Sequence, residues 1–295
     1  MGVLSVREGR GIGLALGGGF ARGIAHIGVL KALERESISI RCVAGTSVGA
    51  LIGAAYCSGV SVEELERIAA HVRFKHIARW TLSRYGFASS QRMISFLSSL
   101  LKVRTFEELR VPLTVATTNF ATGEAVLFDS GPIVDPVRAS CAYPGMFQPV
   151  RIEGNLLVDG MLSHAVPSEP LRELGAAYVL AVHLRGGWVN GNEPKHLFDV
   201  IGQCFAIAQE MNGSRWREAA DLVIEPEVSS FRYDAFEHAA DLIRAGERSA
   251  QAAMPEIRSW FLSETKAYPA SRYSNGSGLQ PKPVQIRVRQ PRYRL

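Results

Sequence analysis

Between the apolar run Arg41-Cys42-Val43-Ala44 and the helix-forming stretch Ala50-Leu51-Ile52-Gly53-Ala54-Ala55-Tyr56 lies the pentapeptide Gly45-Thr46-Ser47-Val48-Gly49. Strand, sharp turn and helix in that order make a nucleophile elbow. There the serine sits in a strained backbone conformation, and its flanks must be small enough for strand and helix to approach closely. Gly45 and Gly49 meet that need, so Ser47 is the candidate covalent nucleophile. A bare G-x-S-x-G also arises by chance in loops. The weight therefore rests on the strand before it and the helix after it.

A second strand, Ile12-Gly13-Leu14-Ala15-Leu16, runs into Gly17-Gly18-Gly19-Phe20-Ala21-Arg22-Gly23 and then a helix through Leu33. Such a loop presents bare backbone N–H groups at a helix start, where they can face a developing oxyanion or a phosphate. The dinucleotide fingerprint needs a glycine at its sixth place, but counting from Gly17 that place is Arg22, and from Gly11 it is Leu16. A P-loop needs Gly-Lys-Ser/Thr, whereas Gly23 is followed by Ile24-Ala25. Neither phosphate motif is met. A tight turn with no ligand is the remaining plain reading.

The third element is Leu156-Leu157-Val158-Asp159-Gly160-Met161, an apolar strand that ends in an acid. Asp159 stands where open α/β sheets place their sites, at a strand's carboxyl end. A serine hydroxyl needs a base within hydrogen-bond reach. Asp-Gly alone is a common turn; it gains meaning from Ser47 and the glycine loop.

Together these elements resemble the patatin-like phospholipase family, bacterial branch, over residues 12–185 and more weakly to about 260. Leu16 to Leu30, Gly45 to Gly59 and Arg138-Ala139-Ser140-Cys141-Ala142-Tyr143-Pro144-Gly145-Met146-Phe147 carry the likeness. The resemblance implies a single three-layer α/β domain with a mainly parallel central sheet and helices on both faces. It also implies a Ser-Asp dyad without histidine: Ser47 as nucleophile, Asp159 as base, and an oxyanion loop at Gly17, Gly18 and Gly19. The N–H of Val48, next to the nucleophile, is a further donor on mechanistic grounds. Arg22, Gly23, Gly45, Gly49 and Gly160 are supporting motif positions, with Arg22 an anchor for the loop or for an anionic head group. Phe20 stands where this branch has a small residue, and Met161 where it has glycine or alanine. Both departures bear on substrate preference and rate. They also motivate an alternative, a weakly active or non-catalytic protein that binds lipid or a protein partner. Among the histidines, His183 and His238 follow Asp159 in a Ser, Asp, His order, and His164 lies five residues beyond it.

The chain has 295 residues, 47% hydrophobic and 21% charged, enough to bury a large core. No apolar run approaches the roughly 20 residues of a membrane helix. The first eight residues lack a signal-peptide pattern, and Val6 stands where myristoylation wants Ser or Thr. A cytoplasmic protein, peripheral at most to a membrane, is the expectation. Cys42, Cys57, Cys141 and Cys204 form no C-x-x-C pair and no zinc pattern. No metal and no organic cofactor is implied.

Between the motifs, strands at 111–118 and 124–128, 176–184 and 222–225 alternate with helices starting at Ser61 and Gln91, and with helical stretches at 193–220 and 234–262. Residues 186–265 read as the mostly helical continuation of the same α/β unit. After Glu264 come seven cations and no acid, leaving 26 cations against 28 acids before it. Residues 266–295 thus form a basic Pro/Gly/Ser-containing tail expected to be disordered. It is either a solvated terminus or a site of weak adhesion to anionic lipid. The slightly acidic body and scarcity of aromatics in the tail argue against nucleic acid. The expected activity is hydrolysis of a lipid ester, phospholipid, lysophospholipid, glycerolipid or simple ester, by a serine acyl hydrolase.

Overall fold

The computed structural model describes residues 11–83, 86–185, 193–195, 197–212 and 214–262. The basic tail and His196 lie outside them. In chain order the elements are β1 (Ile12–Leu16), α1 (Ala25–Arg35), β2 (Ile40–Thr46), α2 (Val48–Cys57), α3 (Val62–His71), α4 (Phe74–Ile77), β3 (Arg79–Ser83), β4 (Gly86–Ser89), α5 (Gln91–Leu100), β5 (Leu113–Asn119) and β6 (Ala125–Phe128). They continue with α6 (Val134–Ser140), β7 (Val150–Ile152), β8 (Asn155–Asp159), α7 (Glu169–Glu173), β9 (Val179–Val182), α8 (Leu197–Asn212), α9 (Ser214–Glu218), β10 (Leu222–Ile224) and α10 (Ala239–Leu262).

Eight strands form one sheet in the order β10-β9-β1-β2-β5-β8-β7, with β6 also on β5, while β3 and β4 pair separately. From β10 to β5 all pairings are parallel; β6, β8 and β7 join antiparallel. The parallel strands alternate between two cores, as a period of two requires. Leu14, Leu16, Val43, Leu180 and Val182 face one core, and Ala15, Cys42, Ala44, Val179 and Ala181 face the other. On the first face α1 and α10 cross so closely that a Cβ on Gly28 would lie 1.9 Å from the Ile243 carbonyl oxygen. The second face is thinner, closed by Val166, by Leu171 of α7 and by Trp216 of α9. Helices thus cover both faces, and β10 and α10 belong to the same sheet and core.

One feature of the pairing decides where chemistry can occur. β6 holds one edge of β5 at residues 115–118, so β2 and β8 must share the opposite edge, at residues 113–116 and 117–119. β2 runs parallel to β5 and β8 runs against it. Their carboxyl ends therefore meet head to head, Thr46 beside Ala116 and Asp159 beside Thr117.

The strand expected to end in an acid does end at Asp159, and Gly160 then opens a 3-10 turn. Within the helical stretch read over 193–220, α8 and α9 are helical, and residues 196 and 213 lie outside the described residues. Ser61 caps α3 by accepting from the Glu64 N–H, as its spacing predicts, while the Glu64 carboxylate pairs with Lys102.

Candidate active site

Ser47 follows the last residue of β2 and precedes α2, with φ of 55°. A non-glycine residue at positive φ is strained, and the surroundings hold it there. The Ser47 N–H donates to Ser140 Oγ at 2.8 Å, and Ser140 Oγ donates to the Ala116 carbonyl at 2.6 Å. Thr46 Oγ1 donates to the His164 carbonyl at 2.7 Å. Close approach explains Gly49: a Cβ there would lie 2.2 Å from the Leu16 carbonyl oxygen, so α2 starts directly against the end of β1. Gly45 sits in β2 under Ala50 of the same elbow, and Gly23 in the 3-10 turn beside Val48.

Head-to-head strand ends bring Asp159 to Ser47. Ser47 Oγ donates to Asp159 Oδ2 at 2.7 Å, and the other carboxylate oxygen accepts from the Met161 N–H at 2.9 Å. Asp159 is fully buried. Burial pushes its carboxyl up from 3.8 to about 7, against the Met161 N–H and the Ser47 hydroxyl, which hold it down. Gly160 lets this corner form, since a Cβ there would meet the Ala116 carbonyl oxygen at 2.2 Å. The result is a hydroxyl hydrogen-bonded to a carboxylate whose basicity is raised toward neutrality, the arrangement that general-base activation requires.

The glycine loop is more engaged than its sequence suggests. The Gly17 N–H donates to the Val182 carbonyl at 3.0 Å and the Gly18 N–H to the Ala165 carbonyl at 3.2 Å. Those bonds correct the expectation of three loop donors. Among the described residues, the N–H groups of Gly19 and Val48 make no hydrogen bond, and Val48 begins α2. His26 is buried and donates through Nε2 to the Gly17 carbonyl at 2.8 Å; burial lowers its pKa to about 4, so it stays neutral. Met161 covers Gly18, where a Cβ would lie 2.5 Å from Met161 Cγ. Phe20 adopts φ of 54° and turns its ring toward Phe74, Tyr233 and Phe236.

Two cavities adjoin Ser47. The apolar one, about 100 Å³, is walled by Phe20, Leu51, Ala69, Met93, Phe96 and Phe147. The apolar stripe of α5 is thus part of this core wall. The second, about 40 Å³, is lined by Gly18, Gly19, Arg22, Tyr143, His183 and Gln209 among others. Arg22 is buried, and its Nε donates to the Phe231 carbonyl at 2.9 Å. Desolvation lowers its pKa, opposed by Asp234.

No histidine enters the Ser47–Asp159 pair among the described residues. His183 Nδ1 meets Glu225 at 2.9 Å beside Arg217. His238 lies at the surface near Glu237 and Asp241. His164 acts through its backbone, bonding Gly160 and Thr46. Ser140 is the residue that sequence reasoning passes over, although a small polar side chain inside the apolar stretch 137–147 is the signal that marks it. Burial, and then the charge of Asp159, raise the pKa of the neighbouring Cys141 thiol. The described residues contain no group of three His, Cys, Asp or Glu side chains placed to hold a metal ion.

Residues 14–172 match the family model described as patatin-like phospholipase. The chain belongs to this family. Among its relatives, an uncharacterized NTE family protein of Mycobacterium tuberculosis is 33% identical over 178 residues, covering 59% of this chain and 49% of that protein. The lysophospholipase NTE1 of Mycosarcoma maydis is 30% identical over 231 residues, covering 75% of this chain and 12% of the relative. The chain therefore spans about half the length of the mycobacterial relative and a small part of the fungal one. Of solved structures, VipD from Legionella pneumophila superposes with a TM-score of 0.57 at 14% identity, over 86% of this chain and 68% of that one, a likeness of fold. No helix among the described residues is long and apolar enough to cross a membrane.

Proposed function

We propose that this chain is a serine acyl hydrolase of lipid esters that works with a Ser47–Asp159 dyad. The observation that carries the reading is the 2.7 Å hydrogen bond from Ser47 Oγ to the buried Asp159 carboxylate. Asp159 Oδ2 takes the hydroxyl proton as Ser47 Oγ attacks the ester carbonyl. The resulting oxyanion is met by the N–H groups of Gly19 and Val48 at the start of α2, where the helix dipole also favours negative charge. Collapse breaks the carbon–oxygen bond, and the departing alkoxide recovers the proton from Asp159. The acyl group stays on Ser47 until Asp159 deprotonates a water that attacks the acyl-enzyme, returning free serine and a carboxylic acid.

The acyl chain occupies the apolar cavity and the alcohol portion the polar one. Membership of the patatin-like phospholipase family and the lysophospholipase name of the fungal relative support a lipid ester. A cavity of about 100 Å³ is below the roughly 150 Å³ that holds one benzene ring, so long acyl chains must displace its side chains. Phe20 and Met161 shape the loop but leave the Ser47–Asp159 bond intact, which favours this reading over a non-catalytic lipid binder. A fluorophosphonate probe is expected to label the wild-type chain and not Ser47→Ala, and ester turnover should vanish with the label. Undiminished turnover by folded Ser47→Ala would remove the assignment. Absence of both label and turnover in the wild type would favour the binder.

A further inference from the structure

Between Glu66 and Glu107 the chain has eight cations and no acid, although the body before the tail is slightly acidic overall. The structure gathers part of this charge around α4 and the β3–β4 hairpin. Trp80 stands 63% exposed there and Phe87 43%. Among the described residues, Arg73, Lys75, Arg79 and Arg92 form no ion pair with a carboxylate, and the Arg73 and Arg92 guanidinium groups donate to backbone carbonyls. A large exposed aromatic amid uncompensated cations is poorly suited to water alone. It suits the headgroup boundary of a membrane, where Trp rings settle and cations meet anionic lipid.

The position of this patch gives it a use. Trp80 lies 5.2 Å from Phe74, ring centre to ring centre, and Phe74 lies 6.1 Å from Phe20 and 6.0 Å from Phe147. Phe20 and Phe147 wall the cavity beside Ser47. An open cleft of about 590 Å³ is lined by Phe20, Phe74 and Trp80, by the cations Arg73 and Lys75, and by Asp234 and Glu237. Asp234 is paired with Arg232. A run of aromatic rings thus leads inward from the exposed Trp80 to the cavity beside the nucleophile.

We propose that α4 and the β3–β4 hairpin form a docking surface for an anionic lipid bilayer, seating Trp80 in the headgroup region and turning the cleft toward the membrane. The purpose of the docking rests on the hydrolase reading; the binding itself does not. A nucleic acid would also favour cations beside aromatics, but the aromatic run leads into an apolar cavity rather than along a basic groove.

The test uses the full chain carrying Ser47→Ala, so that lipid is not consumed, and vesicles of phosphatidylcholine with or without phosphatidylglycerol. Each cation near such a surface contributes roughly a fivefold factor in partitioning. Lys75→Gln/Arg79→Gln should therefore weaken binding to phosphatidylglycerol vesicles about 25-fold, and added salt should erase the difference. Trp80→Ser should weaken binding at every salt concentration, and Trp80→Phe should remove a blue shift in fluorescence. In the Ser47 background, turnover of a soluble short-chain ester by the same variants reports that they are folded. Binding to phosphatidylglycerol vesicles unchanged in both variants overturns the proposal. So does binding lost only on deletion of 266–295, or preference for a single-stranded oligonucleotide over vesicles. A wild type that turns over no ester yet loses vesicle binding through these substitutions would refute the hydrolase reading and leave the docking surface standing.

Discussion

Asp159→Asn separates what the carboxylate does for chemistry from what it costs the fold. Asp159 is fully buried, and its carboxyl is raised from 3.8 to about 7 by that burial. The folded chain therefore holds this proton more tightly than the unfolded chain does. Stability from this group is fully present below pH 4 and is lost as pH rises to about 7, at about 1.4 kcal/mol per unit, then levels off. The total is about 4 kcal/mol. Asparagine has nearly the same shape, keeps an oxygen for the Met161 N–H and offers an amide to Ser47 Oγ, but cannot ionise. The variant should thus match the wild type near pH 4 and exceed it by about 4 kcal/mol at pH 8, roughly 8 °C in melting temperature at about 2 °C per kcal/mol for a chain of this size. Ester hydrolysis should be abolished in the same protein. Urea unfolding of both chains at pH 5, 6, 7 and 8 reads the difference directly, since every other titrating group cancels. A gap that stays constant with pH, or narrows as pH rises, would refute the claim that desolvation dominates at this carboxylate.

The same pKa makes log kcat/KM climb with unit slope to a plateau above about pH 7, because only ionised Asp159 accepts the serine proton; a flat profile from pH 5 to 8 counts against Asp159 as base. Ser140→Ala leaves the buried Ser47 N–H and Ala116 carbonyl without their partner, so unfolding free energy should fall by about 2–4 kcal/mol. In that variant kcat should drop more than KM changes, and stability within about 0.5 kcal/mol of wild type would show that Ser140 does not hold the elbow. Ala69→Leu pushes a branched side chain into the apolar cavity at a packing cost of about 1–3 kcal/mol. Turnover of a long-chain ester should fall at least tenfold while that of an acetyl ester stays within threefold, and equal losses would place the acyl chain elsewhere.

What could be read from the sequence was local. Glycines on both sides of Ser47, with an apolar run before and a helix after, specify the elbow because close approach is a demand on the residues themselves. Asp159 was legible for the same reason, as an acid ending an apolar strand ahead of glycine. The β7–β8 hairpin was not, since the turn joining its strands uses Glu153 and Gly154, both at positive φ. Such a turn is signalled by Asn-Gly or Asp-Gly, and glutamate hides it. Ser140 was hidden differently: it lies 93 residues from Ser47, and only the packing of α6 on β5 brings its hydroxyl to the elbow. The Gly17 and Gly18 N–H groups were assigned to an oxyanion because their partners, Val182 and Ala165, sit about 150 residues away, in β9 and in the stretch between β8 and α7.

The head-to-head meeting of β2 and β8 also gives the proposed Ser47–Asp159 dyad a way to work without histidine. In a triad an imidazole bridges a serine and a carboxylate held apart by separate loops. Here β5 acts as the ruler: it sets the last residue of β2 beside Ala116 and Asp159 beside Thr117, one residue apart on one edge. The Ser47 hydroxyl then reaches the carboxylate directly, and there is no gap for a ring to fill. An exposed aspartate near 3.8 would be a weak base for such a short contact. Burial at the strand junction raises it to about 7, close to the basicity that histidine supplies elsewhere. The topology that brings the two groups together is thus the same one that excludes water from Asp159, so placement and basicity share a single structural cause.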